Sequence, residues 1–256
     1  MNEFTATVRS GGRTFGTFTS LGSWVAAELC GAAGFDWVLV DLEHGAGDEQ
    51  SLVPALQAIS STPAAGLVRV EANDRVRVTK ALDAGAVGIM IPRIETALDA
   101  RAAVQHSRYP LGGDRGVAMM NRGAKFGART TEQMSDLAPL VILQIETERA
   151  LSELRGIAEV DGVDVLFVGP SDLSWSLGIP GQLDNPKYRQ AIESVARAAE
   201  DAGKCAGVLA GSADGAAMYL DLGYRFVGVS GDVGLLASAA RSTVGRLAEL
   251  SKRMEH

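Results

Sequence analysis

Cysteine is scarce in this chain, and so is any surplus of positive charge. Cys30 and Cys205 are the only two cysteines. They lie far apart and lack metal-ligand spacing, which excludes a disulfide framework or a cysteine-held zinc and leaves two core thiols. Lysine and arginine number 24 against 31 aspartates and glutamates, a net charge of −7. Binding a nucleic-acid backbone needs a clustered cationic surface, so nucleic acid is not the expected partner. No uninterrupted apolar run reaches the roughly 20 residues of a membrane helix, and the opening MNEFTATVRSGG has no apolar stretch of signal-peptide length. A soluble, cytoplasmic protein that works on small molecules is the expectation. Linkers, low-complexity tracts and short repeats are also missing. The 256 residues, 46% of them hydrophobic, therefore read as one domain, 1–256, with a large core.

What is present is an alternation. Short runs rich in Val, Ile and Leu begin near residues 13, 36, 66, 87, 140, 164, 205 and 225, each followed by a segment of helical period. GSWVAAELCGAAG, NDRVRVTKALDAG and NPKYRQAIESVARAAEDAG end in a glycine where a helix C-cap belongs, and a last helix starts at GLLASAARSTVGRLAELSKR. Eight βα units in about 250 residues predict an α/β fold of the closed (β/α)8 TIM-barrel type, with a doubly wound open sheet as the alternative. Residues 105–139 contain no good strand and are too long for a plain connection, which predicts a lid or active-site loop.

In such a barrel the chemistry sits where the strands end. Strand 2 ends in Asp41, Glu43 and His44; strand 3 carries Arg69 and Glu71; strand 4 ends at Pro92 and Arg93; strand 5 ends in Gln144 and Glu146. Strand 6 runs into Gly169, Pro170, Ser171 and Asp172, strand 7 into Gly211 and Ser212, and strand 8 into Gly231 and Asp232. His256 is terminal and His106 falls on a predicted helix, leaving His44 as the one rim histidine. Asp41, three residues before it, is placed to accept the imidazole N–H and orient a proton-transfer group, or else to cap the next helix. Glu146 and Asp172, from neighbouring strands, suit a hard cation that keeps positions open for water and substrate; for Asp172, helix capping is the competing role. Arg69, inside the apolar GLVRVE, needs an anion, either a substrate oxyanion or a rim carboxylate. The backbone N–H groups of Ser171 and Asp172 are placed to receive a substrate carboxylate. Lys80, Lys125, Lys187, Lys204 and Lys252 all fall away from strand ends, which disfavours a Schiff base and leaves a metal as the electrophile.

The segments AGFDWVLVDLEHG, VRV with ALDAGAVGIMIPRIET, PLGGDRGV, LQIET and VGPSDLSWSLG, in this order, resemble the HpcH/HpaI aldolase family of divalent-metal-dependent pyruvate aldolases, over nearly the whole chain. The resemblance implies an aldehyde-lyase that reversibly cleaves 4-hydroxy-2-oxo acids to pyruvate and an aldehyde through a pyruvate enolate, using Mg2+, Mn2+ or Co2+. It implies Glu146 and Asp172 as metal ligands with Gln144 beside them, His44 as acid/base oriented by Asp41, and Arg69 on the enolate. It further implies that Asp83 faces a neighbouring subunit's site in a homo-hexamer, a trimer of dimers, whose barrels exchange their last helix. The family often has glycine where this chain has Leu42, so a bulkier second-substrate side is expected. Two alternatives stand beside this reading. One is a related metal-enolate lyase or carboligase, of the oxaloacetate decarboxylase or citrate-forming synthase type. The other is a non-catalytic phosphate- or flavin-binding barrel using the glycines after strands 7 and 8, against which Asp232 argues.

Overall fold

A computed structural model describes residues 3–254; His256 lies outside them. Among the described residues eight strands, β1 (Thr14–Thr19), β2 (Trp37–Asp41), β3 (Ala65–Arg69), β4 (Gly88–Ile91), β5 (Leu140–Ile145), β6 (Val165–Val168), β7 (Cys205–Ala210) and β8 (Phe226–Gly231), all parallel, close in chain order into a barrel. The helices lie outside it. The glycine stops hold: the helices Trp24–Ala32, Arg75–Asp83 and Pro186–Asp201 are followed by Gly34, Gly85 and Gly203, each with positive φ.

Side chains alternate across a strand, so each strand serves two cores. Trp37 and Leu39 of β2, Leu67 of β3, Met90 of β4, Ile142 of β5, Phe167 of β6 and Phe226 of β8 fill the barrel interior, with Trp37 stacked on Phe226 at 4.5 Å. The other parity, Val38, Val40, Val68, Ile89, Ile91, Val141 and Leu143, packs against the helices. Followed one step past the apolar layers, the inward parity reaches Asp41, Arg69 and Gln144. The β2–β3 register sets Asp41 directly opposite Arg69. The polar layer of the rim is thus the top of the same stack that builds the core.

Two expectations fail here. Residues 105–139 do not cover the rim of their own barrel. They join the helix Ala97–Ser107 to β5 and so run at the N-terminal ends of the strands, through a 3-10 turn (Lys125–Gly127) and a short helix (Thr131–Ser135). Nor does Leu42 bulk the pocket. Its parity is outward, and its side chain packs against the helix-facing core with Val40 and Val68. Leu42→Ala is expected to lower stability by about 1–2 kcal/mol and to leave aldehyde preference unchanged. A product panel that shifts with this variant would return Leu42 to the pocket.

The last helix, Asp232–Met254, buries only Asp232 among its residues and leaves Leu235, Leu236, Val244, Leu247 and Leu250 exposed. No described helix is long and apolar enough to cross a membrane.

Candidate active site

Arg69 is buried, and its anion is Asp41. Nε donates to Oδ1 at 2.8 Å and Nη2 to Oδ2 at 2.6 Å, a two-pronged pairing. Nη1 turns the other way, 3.2 Å from Glu43 Oε2 and 3.4 Å from Gln144 Oε1. The guanidinium carbon lies 5.3 Å from the centre of the Phe18 ring. Burial pushes the Asp41 carboxyl up, but the guanidinium and the amides of His44 and Glu43 outweigh it and hold the group below the usual carboxylate range. Burial likewise pulls Arg69 down, and Asp41 and Glu43 more than restore it.

This pairing corrects the expected dyad. Asp41 does not touch the His44 imidazole; Oδ1 accepts the main-chain N–H groups of Glu43 (3.1 Å) and His44 (3.3 Å). It therefore fixes the bend that carries His44 and clamps Arg69, while Oδ2 accepts Arg69 Nη2 and, at 3.4 Å, the Ser20 hydroxyl. The carboxylate nearest the imidazole is Glu43, whose Oε1 is 3.9 Å from Nε2 of a ring that is 64% exposed. Burial raises the Glu43 carboxyl despite the opposing Arg69 and His44 charges, with Asp41 and Asp172 adding to the rise. Glu43 thus lies at the junction of arginine, histidine and both acidic positions.

Glu146 follows β5 on the inward parity and is 97% buried. Its Oε1 accepts the Arg93 backbone N–H at 2.8 Å and its Oε2 the Gln144 amide at 2.9 Å. Desolvation, opposed by the Arg93 amide and reinforced by Asp172 and Glu43, pushes its pKa up to about 7. Arg93 holds a left-handed backbone (φ 53), unusual for a residue with a side chain. Its amide rather than its guanidinium serves the site, and nothing in the sequence signals that. Gly169 comes close on the other side: a Cβ there would lie 2.8 Å from Glu146 Oε2.

Gly169 and Pro170 open the short helix Pro170–Ser176, with Gly169 as N-cap and no side chain capping it. Asp172, in the first turn, is not spent on capping. It is exposed and takes no hydrogen bond or ion pair among the described residues, yet its charge raises both Glu146 and Glu43. The donors fit a divalent cation of the Mg2+ or Mn2+ kind: two carboxylates, one of them buried without a cationic contact, and space kept by a glycine. No group of three or more His, Cys, Asp or Glu gathers for a metal among the described residues. A cation held here would have at most a pair of such side chains among the described residues, with its other positions open to water and substrate.

The other rim residues are used structurally. Glu71 pairs with Arg77, Ser212 caps its helix through the Gly215 amide, and Asp232 accepts the amides of Ser20, Leu21 and Val233. That last carboxylate stands between the ends of β1 and β8, where its charge opposes a phosphate at the glycines after strand 8. Asp83 stands at the opposite end of the barrel, 2.7 Å from Arg115. His106 pairs with Asp114 on the outside, and both cysteines are buried. Of the lysines, Lys204 ties the carbonyls of Val160 and Val163, and none reaches the rim cluster.

The HpcH/HpaI aldolase/citrate lyase family model matches residues 14–239. The pyruvate aldolase of Rhizobium etli is 38% identical over 253 residues, 97% of this chain and 98% of that protein. The 4-hydroxy-2-oxo-heptane-1,7-dioate aldolase of Salmonella paratyphi C is 38% identical over 247 residues, 96% of this chain and 94% of its own. A solved structure of an HpcH/HpaI aldolase/citrate lyase family protein from Burkholderia cenocepacia superposes with a TM-score of 0.92 at 39% identity, covering 97% of this chain and all of that one.

Proposed function

The chain belongs to the HpcH/HpaI aldolase/citrate lyase family, and from that premise we propose that it is a carbon–carbon lyase, a divalent-metal-dependent aldolase that reversibly cleaves 4-hydroxy-2-oxo acids to pyruvate and an aldehyde. One observation carries the reading: the buried Glu146 carboxylate beside Gly169, lacking a cationic contact, at a rim without lysine. Glu146 and Asp172, with Gln144 beside them, would hold a divalent cation, which would supply the Lewis acidity that makes the methyl protons of pyruvate acidic.

The chain's own residues do the rest. The first-turn amides of Ser171 and Asp172, opened by Gly169 and Pro170, receive the pyruvate carboxylate. Arg69, locked by Asp41, presents its Nη1 edge to the negative charge of the enolate. In cleavage the 4-hydroxyl gives its proton to His44, directly or through water, the C3–C4 bond breaks, and its electron pair passes into the enolate as the aldehyde departs. Protonation at carbon completes pyruvate. Glu43, as the carboxylate nearest the imidazole, supports the charged ring that Asp41 was expected to support. Asp83, away from its own rim, serves a neighbouring subunit of a homo-hexamer, a trimer of dimers; the exposed apolar face of Asp232–Met254 supports exchange of that helix between subunits.

Incubation with pyruvate, Mg2+, Mn2+ or Co2+ and a panel of aldehydes tests the reading, through formation of a 4-hydroxy-2-oxo acid. Exhaustive EDTA treatment is expected to abolish turnover, and borohydride to trap no pyruvate adduct. Full turnover after chelation, or a trapped adduct, overturns the metal mechanism. His44→Ala is expected to retain metal and pyruvate binding while aldol cleavage falls about 10²–10⁴-fold, the scale of positioned acid/base catalysis. Oxaloacetate decarboxylation, which reaches the enolate without deprotonating a hydroxyl, is expected to fall much less. Parallel loss of both activities and of metal affinity would make His44 a ligand or a structural residue.

A further inference from the structure

No hydrogen bond holds the His44 ring among the described residues; its nearest partner is Glu43, at 3.9 Å. The position of the imidazole is therefore set by the main chain that carries it. That chain leaves β2 at Asp41 and enters the next helix, Glu49–Ile59, at its cap Asp48. Asp41 fixes the start of the bend through the amides of Glu43 and His44. Beyond that, one hydrogen bond ties the main chain of residues 43–47 to a segment outside β2 among the described residues: the Ala46 N–H donates to the Ser20 carbonyl at 2.7 Å. Glycines let the two turns meet closely. A Cβ at Gly45 would lie 3.3 Å from Ser20 Cα, and one at Gly22 would lie 2.9 Å from the Gly47 nitrogen. The turn after β1 is the wall against which the His44 bend rests.

That wall is itself held from behind. The Ser20 N–H donates to Asp232 Oδ1 at 2.8 Å and the Leu21 N–H to Oδ2 at 3.2 Å, while Oδ1 also accepts the Val233 N–H at 2.8 Å. Asp232 is buried, and no cation pairs with it among the described residues; the three amides are what offset its loss of water. Capping a helix calls only for the amides of the helix's own first turn. Asp232 gives two of its three contacts to the turn after another strand. The backbone is bent to bring it there. Ser230, two residues earlier, holds a left-handed φ of 56°, and the β1–β8 register shifts between Gly16 and Phe18. Such a conformation persists only where its surroundings over-determine it, and a bulge beside a site re-aims the side chains that follow.

We propose that Asp232 is a positioning residue for proton transfer: through the main chain of Ser20 and Leu21 it holds the turn after β1, and that turn holds the bend that presents His44. The inference rests on the reading of His44 as the proton-transfer group. Arg69 does not depend on this brace, since its grip on Asp41 is two-pronged and Ser20 reaches Asp41 only through a hydroxyl at 3.4 Å. Loosening the brace therefore separates two activities. In Asp232→Ala of the assembled, Mn2+-loaded protein, kcat for aldol cleavage is expected to fall about 10–100-fold, the scale for a misplacement of about 1 Å, with KM little changed. Oxaloacetate decarboxylation, which needs the enolate site and not His44, is expected to be nearly retained. Asp232→Asn, which keeps one oxygen acceptor, should lose less cleavage, and Gly22→Ala, which parts the two turns from the other side, should reproduce the selective loss. On a His44→Ala background Asp232→Ala should lower cleavage no further, because both act on one step. Hydrogen exchange over residues 42–48 reads the brace without activity and should rise in Asp232→Ala while the strands stay protected. Three results overturn the proposal: unchanged exchange over 42–48, equal loss of both activities in Asp232→Ala and Asp232→Asn, or a full further loss of cleavage on the His44→Ala background. A parent that neither forms nor cleaves a 4-hydroxy-2-oxo acid is instead a failure of the aldolase reading, and exchange alone then decides whether Asp232 braces the bend.

Discussion

Glu146→Gln is expected to lose aldolase activity by at least about a thousandfold, because the Lewis acid it is proposed to help hold would supply several kcal/mol to the transition state and each tenfold is about 1.4 kcal/mol. The same substitution is expected to stabilise the metal-free protein, which is the more telling result. Buried, with only an amide on each oxygen, Glu146 has its pKa pushed up to about 7 from an ordinary 4.5. Between those two values the unfolded chain has released its proton while the native state still holds one, so stability falls as pH rises across the window and stays lost above about 7. The total is about 3 kcal/mol. Glutamine does not titrate. In EDTA at pH 8, urea unfolding should therefore find the variant more stable than the parent, with the difference vanishing toward pH 4.5. Saturating Mn2+ should stabilise the parent and not the variant, and its affinity for the parent should fall as pH drops through about 7, since the ligand must be deprotonated. A metal-free variant less stable at every pH would mean that Glu146 is a structural hydrogen-bond acceptor.

Most of the barrel and the membership of its rim were legible because β strands report their two faces through parity. The eight apolar runs fall on the eight strands, and the inward series 37-39-41, 65-67-69 and 140-142-144-146 carries each strand from core to chemistry without a break. What was misread came from counting along the chain rather than across it. A separation of three residues suggested that Asp41 faces the His44 ring, whereas equal inward parity on adjacent strands pairs Asp41 with Arg69. The same parity turns Leu42 outward. Residues 105–139 follow a helix and precede a strand, so they belong at the N-terminal ends of the strands whatever their length; chain order held that answer. Arg93 is different. Its left-handed backbone exists because β4, β5 and the Glu146 carboxylate fix it together, and no local residue preference announces such a conformation.

Arg69 carries two loads, and substitution can separate them. Arg69→Met strands Asp41 at 3% exposure and leaves Glu43 without its closest cation. Breaking one side of a buried ion pair in this way is expected to cost about 3–5 kcal/mol of stability. Arg69→Lys keeps a positive charge beside Asp41 and should unfold at much lower cost. It cannot grip both Asp41 oxygens and still present an edge toward Glu43 and Gln144, because those contacts use Nε, Nη2 and Nη1 of one planar group. Turnover by the lysine variant is therefore expected to fall at least about a hundredfold, the scale for removing an oxyanion donor, with Mn2+ affinity nearly retained because neither proposed ligand is altered. Urea unfolding, Mn2+ titration and steady-state cleavage on the same two variants decide the matter. If the lysine variant turns over normally while the methionine variant unfolds, Arg69 is a strut for Asp41 and the enolate charge must be held by another group.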